Sequence, residues 1–154
     1  MTNTKAFIYK CIENLILFLI GGFIYVSIEL IGRGFSHVSM FIVGGACFLI
    51  IGLLNEFYPW EFLFEAQIGI GAFVITCLEF ISGYIVNIKL GLNIWDYSEF
   101  PLNLYGQICL HHSLFFWVPL SAVAIVLDDL LRFVIWKEQF PKYYFIAQKL
   151  NKKK

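Results

Sequence analysis

The sequence predicts an all-α fold: a polytopic integral membrane helical bundle with about four transmembrane helices plus an interfacial C-terminal helix. Three observations lead there. Between Ile12 and Trp136 lie four apolar stretches, each close to the roughly 20 residues a helix needs to cross hydrocarbon. Of the 154 residues, 60% are hydrophobic and only 14% charged, too few charges to clothe a soluble core of this size. The joints between the stretches hold Gly, Asn, Asp, Ser and Pro, which turn a chain.

The first span is expected from about Ile12 to Ile31. No small-residue cleavage site follows it, so it reads as a full span and not as a signal peptide. The second runs from about Ser36 to Leu54, joined through Gly32 and Gly34, which suits an antiparallel helical hairpin. Gly21-Gly22 and Gly44-Gly45 give this pair smooth patches where backbones approach closely, and Gly69 with Gly71 offers the third helix a similar surface. The third span covers about Ala66 to Ile88 and the fourth about Leu104 to Leu127. All of 1–154 is then one membrane domain, with a basic tail at 137–154.

Two connections differ from ordinary loops. Asn55 to Glu65 mixes carboxylates with aromatics, as a segment at headgroup level does. Lys89 to Asn103 wraps turn formers around Trp95 and Tyr97, which are expected to anchor at the interface while Asp96 and Ser98 cap the turn or the following helix. After the fourth span, the amphipathic stretch from Asp128 to Phe140 is expected to continue as an interfacial helix.

Nine of the eleven basic residues flank the bundle at its ends, leaving only Arg33 and Lys89 on the other side. The positive-inside tendency therefore places both termini in the cytoplasm, with the chain in the cytoplasmic membrane. Cys11, Cys47, Cys77 and Cys109 are widely spaced, with no CxxC or Cys/His cluster. They read as free thiols, and the sequence implies neither a metal nor a cofactor.

The polar residues inside the spans carry the functional argument, because each is expensive in lipid. Glu29 and Arg33 are four apart and can pair on one helix face, with His37 just beyond the Gly34 turn. This is an ion pair that fixes the hairpin, or a polar mouth for a charged group. Glu79 sits mid-span beside the gap left by Gly83, with Asn87 two turns on. A neutral carboxyl there would suit a proton carrier, or a hydrogen bond to a neighbouring helix. Asn103, Gln107 and His111 recur every four residues and form a polar stripe on the fourth helix. Such a stripe glues helices together or lines a path for a polar solute. His112 points about 100° away from His111, which argues against a paired-His metal site. Asp128 and Arg132 form a further pair near the cytoplasmic surface, read as structural.

These positions carry a family resemblance. Glu29-x3-Arg33-Gly34-x2-His37-x2-Met40 leads to Gly44-Gly45 and Gly52-x2-Asn55. Glu79-x3-Gly83, Asn87, Trp95-Asp96-Tyr97-Ser98, Pro101, Asn103, Gly106-Gln107-Ile108-Cys109-Leu110 and Asp128-Asp129 follow. The chain resembles the family labelled putative ABC-transporter type IV (CmpB-like), over nearly the whole membrane region. The resemblance implies a transport-related membrane protein. No GxxxxGK[ST] is present, so the chain is not the ATPase. Four spans are few for a complete transporter, which implies a homo-oligomer or a membrane partner subunit. The bilayer is the other partner, and none is expected among nucleic acids.

Three functions fit the residues. The first is a transport-type or ligand-binding membrane subunit, with Glu29, Arg33, His37, Glu79, Asn87, Asp96, Asn103, Gln107 and His111 as its candidate ligand-binding residues. The runner-up is a non-enzymatic structural or assembly subunit of a membrane complex. The third is an intramembrane enzyme pairing Glu79 or Asp96 with His37 or His111, although no serine–histidine or HExxH arrangement demands it. A dry, fully paired Glu79 would favour the structural account, and a hydrated cavity beside it would favour binding.

Overall fold

The structure, a computed structural model, describes residues 3–57 and 63–151. Helices α1 (Asn3–Arg33), α2 (Val38–Gly52), the short α3 (Leu54–Phe57) and α4 (Phe64–Lys89) come first. A small antiparallel hairpin, β1 (Asn103–Leu104) and β2 (Ile108–Cys109), precedes α5 (Leu110–Trp136) and the short α6 (Ile146–Asn151). Helices α1, α4 and α5 are long and apolar enough to cross a membrane, and α2 is a shorter apolar helix. The fold is therefore the all-α membrane architecture that the composition predicts. Residues 58–62, the centre of the aromatic connection expected at headgroup level, lie outside the described residues.

The chain forms two compact units, Met1–Leu49 and Ile50–Lys154. In the first, α1 ends at Arg33 because Gly34 adopts a left-handed conformation (φ 78°) while its N–H still bonds Leu30 O at 3.1 Å. That conformation is cheap only for glycine. Gly21 lies against Phe48, Gly44 against Tyr25 and Gly45 against Phe18, so closely that a methyl group at any of them would overlap its neighbour. The glycine patches thus bring backbone against aromatic rings. Glu13, which the sequence reading did not single out, is buried on α1 and accepts a 3.0 Å ion pair from Lys10.

In the second unit α4 packs along α5. Gly71 sits on the fully buried Ser121, whereas Gly69 faces open space and is not a packing surface. Helix α5 starts at Leu110, not near Leu104, because Leu102, Tyr105 and Gly106 all have positive φ and fold 103–109 into the hairpin. It also runs on to Trp136, so the stretch expected as an interfacial continuation forms its last turns. Arg132 meets Asp128 one turn away, on the buried face of these turns. Lys137, in a left-handed conformation (φ 61°), ends it.

Helices α4 and α5 widen locally into π turns, over Tyr84–Lys89, Ser113–Trp117 and Arg132–Trp136. The second precedes Pro119, which lacks an N–H and cannot continue a regular helix ladder.

After α5 the chain returns to the start of α4. Phe64 N–H donates to Tyr144 O at 2.8 Å, and the Phe64 ring packs on Tyr143 and Phe145. The Tyr143 hydroxyl donates to Asp129. Burial, then that bond and the charges of Asp129 and Asp128, push this phenol above its ordinary 10.0. The docked tail therefore holds the phenolic proton more tightly than the released tail does. Its stability is full below the ordinary phenol pKa and is lost as pH rises beyond it. Limited trypsin cleavage after Lys142 should accelerate at alkaline pH in the wild type, and Tyr143→Phe should remove most of that dependence.

Candidate functional site

Buried non-helical backbone needs hydrogen-bond partners for its polar groups. The segment between α4 and α5 finds them in polar residues that stand out in the sequence. Asn87, on the π turn of α4, donates from Nδ2 to Trp95 O and Gln107 Oε1, both at 2.9 Å. Its Oδ1 accepts Ile94 N–H at 2.7 Å. Gln107 donates to Tyr105 O at 2.9 Å, and Trp95 Nε1 donates to Gln107 O at 3.0 Å. Gly83 makes this possible, since any side chain there would overlap Gln107 and the Trp95 ring.

The turns are closed by short polar side chains. Asp96 accepts Ser98 N–H at 2.8 Å, an Asx-turn and not a helix cap. Asn103 donates to Phe100 O at 2.8 Å and accepts Gly106 N–H at 3.0 Å. Gly106 presses against the Asp96 carboxylate, where no side chain fits. The segment is thus a folded cap on the α4–α5 pair.

Glu79 lies beneath that cap. It is 6% exposed, and both carboxylate oxygens accept hydrogen bonds. Tyr97 Oη donates to Oε1 at 3.0 Å and Trp117 Nε1 to Oε2 at 2.8 Å. The carboxylate therefore ties cap, α4 and α5 together at one point. Charge-assisted bonds of this kind are the strong ones when the group is ionised.

The structure redistributes the residues expected from sequence. Glu79, Asn87, Asp96, Asn103 and Gln107 converge on one hydrogen-bonded cluster, although Asn103 and Gln107 belong to the hairpin region and not to a helical stripe. His111 does not join them: it is exposed, with its ring against Phe100 (5.7 Å between centroids) and Phe115 (5.0 Å). Glu29, Arg33 and His37 belong to the Met1–Leu49 unit. There Glu29 accepts from Arg33 at 2.6 Å and from Ser36, while His37 Nδ1 meets the Ser39 hydroxyl at 2.8 Å. Arg33 also stacks over Phe35, 4.4 Å from the ring centre.

Trp95 and Tyr97 point their polar atoms inward, so the segment packs against the α4–α5 pair as the sequence predicts. Trp117, the third partner of the cluster, was missed because a tryptophan in an apolar run looks like lipid contact. Its signal was chemical: a buried indole N–H needs an acceptor. The Asp128–Arg132 pair forms as expected, at 2.7 Å, and is almost fully buried.

A helical membrane protein whose inter-span loop is folded back and tied to a buried carboxylate is the class these features define. The chain belongs to the putative ABC-transporter type IV family, whose model matches residues 11–147. No curated protein and no solved structure matches it.

Proposed function

We propose that this chain is a non-enzymatic membrane subunit of a transport-type assembly, with the Glu79 cluster as its internal structural lock. One observation carries the reading. Both oxygens of the buried Glu79 carboxylate accept hydrogen bonds from Trp117 and Tyr97, and the neighbouring Asn87 amide bonds the cap backbone. The polar interior is thereby committed to holding a non-helical segment in place. The family supplies the transport context. Native mass spectrometry of the chain released from its own membrane should show a second copy or a partner subunit. A bare monomer would count against the reading.

A second reading has its own support. Asn93, Leu102 and Tyr105, all within the cap, hold left-handed backbone that costs non-glycine residues energy. Such strain gathers at moving or ligand-clamping segments. A cap that swings away would bare Glu79 to a solute, and Glu79 would then act as a binding group.

For topology, the reading is the cytoplasmic membrane with both termini in the cytoplasm, supported by the nine basic residues at the chain ends. It requires α2 to cross, and α2 reaches crossing length only together with α3. Cysteines introduced at Thr4 and Asn151 should resist an impermeant maleimide on intact cells. Labelling at one end only would mean that α2 does not cross.

A further inference from the structure

Helix α5 delivers the chain to a membrane surface. It has 27 residues, about 40 Å at 1.5 Å per residue, more than the roughly 30 Å of hydrocarbon in a bilayer. Its last residue, Trp136, therefore emerges among headgroups, and Lys137 breaks the helix there with left-handed backbone. The chain beyond does not leave the surface, because three hydrogen bonds tie it back to the helix pair. The Tyr143 hydroxyl donates to Asp129 on α5, Tyr144 O accepts Phe64 N–H at the start of α4, and Ile146 N–H donates to Glu65 at 3.2 Å. Since this tail touches the start of α4 and the last turns of α5 together, those two helix ends share one membrane face.

The tether sorts the side chains of the tail. Tyr143 and Tyr144 are half-buried, whereas Phe140, Lys142, Phe145 and Ile146 are exposed. Lys137 is exposed too, and its ammonium donates to Val134 O at 3.0 Å. Among the described residues no carboxylate pairs with Lys137 or Lys142. Between 137 and 154 the sequence holds six lysines and one acidic residue, Glu138.

We infer that this tethered tail, from Lys137 to Lys149, is a binding surface for anionic phospholipid headgroups. Exposed rings beside unneutralised cations, held at headgroup level, complement such a surface. The rings enter the apolar side of the headgroup layer, while the ammonium groups stay at the phosphates. A lysine run that served only for solvation would need neither the rings nor the tether. The ligand is a lipid surface and not a soluble anion, because Lys137, Lys142 and Lys149 are strung along the segment. A sheet of headgroups can meet all three, and a single phosphate ion cannot. The inference requires that α5 crosses the membrane. It depends neither on the role of Glu79 nor on which side the termini occupy.

The test is native mass spectrometry of the full chain ejected from nanodiscs that hold phosphatidylcholine and phosphatidylglycerol in equal amounts. Retained lipid should be enriched in phosphatidylglycerol over the disc composition. The enrichment should fall as ammonium acetate is raised, since salt screens exposed charges. Lys142→Gln and Lys149→Gln should each weaken the preference roughly fivefold, the weight of one lysine at an anionic surface. Lys142→Arg and Lys149→Arg should keep it. Lys89→Gln, at the opposite end of α4, should leave it unchanged. Thermal unfolding at the wild-type temperature confirms that each variant is folded. Millimolar inorganic phosphate should not compete, whereas a site for free phosphate would release the lipid. Equal retention of the two lipids by the wild type would overturn the assignment. So would full enrichment in the folded double variant Lys142→Gln/Lys149→Gln, an equal loss in Lys89→Gln, or displacement by phosphate. The copy number in the same spectra tests the proposed assembly separately, so the two readings can fail independently.

Discussion

Replacing Glu79 by Leu should be among the most damaging single changes in this protein, whereas Glu79→Gln should be mild. The difference follows from the donors. Trp117 Nε1–H can only donate, and it needs an acceptor where Glu79 Oε2 now stands. Tyr97 Oη–H donates to the other oxygen but can also accept. A glutamine can turn its carbonyl to Trp117 and its NH2 to Tyr97, keeping both bonds. Leucine can keep neither. Each buried donor left without an acceptor costs about 1–3 kcal/mol. Thermal unfolding in detergent should show a large loss for Glu79→Leu and little for Glu79→Gln. Cap release should accompany the loss, read as faster reaction of a cysteine placed at the exposed Ser98. If Glu79→Gln proves fully stable yet abolishes solute transport by the assembly, the carboxylate is a binding group and the lock reading fails.

The parts of this fold that were legible in the sequence are those fixed by long-range solvent preference. An apolar run of near-bilayer length has few alternatives to a membrane helix, so α1, α4 and α5 were visible at once. The start of α5 was not. Asn103, Gln107 and His111 are spaced by four, which marks a helix stripe, yet a hairpin followed by a helix start carries the same spacing. Pro101 and Gly106 were the contrary signals, and backbone preference prevailed: three residues between 102 and 106 hold positive φ, which no helix accommodates.

The site was legible to the extent that polarity in lipid is expensive. Glu79, Asn87, Asp96 and Gln107 stood out for that reason, and they do converge. Their aromatic partners did not stand out, since Tyr97 and Trp117 suit the membrane interface equally well until the destination of their N–H and O–H groups is known. The same limit explains the histidines. Sequence could say that His111 and His112 face different ways, but not that the exposed one is His111 while His112 is enclosed by rings.

Asp128→Ala should cost about 3–5 kcal/mol, the usual penalty for removing one member of a buried ion pair. Asp128 is fully buried and Arg132 nearly so, and Arg132 Nε donates to Asp128 Oδ2 at 2.7 Å. With the carboxylate gone, a guanidinium remains in a site that excludes water. Removing both charges should hurt less than removing one, so Asp128→Leu combined with Arg132→Met should recover much of the loss. The pair is also shaped from outside α5. Gly52, at the end of α2, lies so close to the Asp128 carboxyl that an added side chain would occupy its place. Gly52→Val should therefore destabilise in the same direction as Asp128→Ala. In the Asp128→Ala background, where the obstructing carboxyl is absent, the added cost of Gly52→Val should shrink. That non-additivity, measured as a double-mutant cycle on unfolding in detergent, separates a steric effect on Asp128 from a general defect in α2. Strictly additive costs would mean that Gly52 serves helix packing elsewhere and not the ion pair.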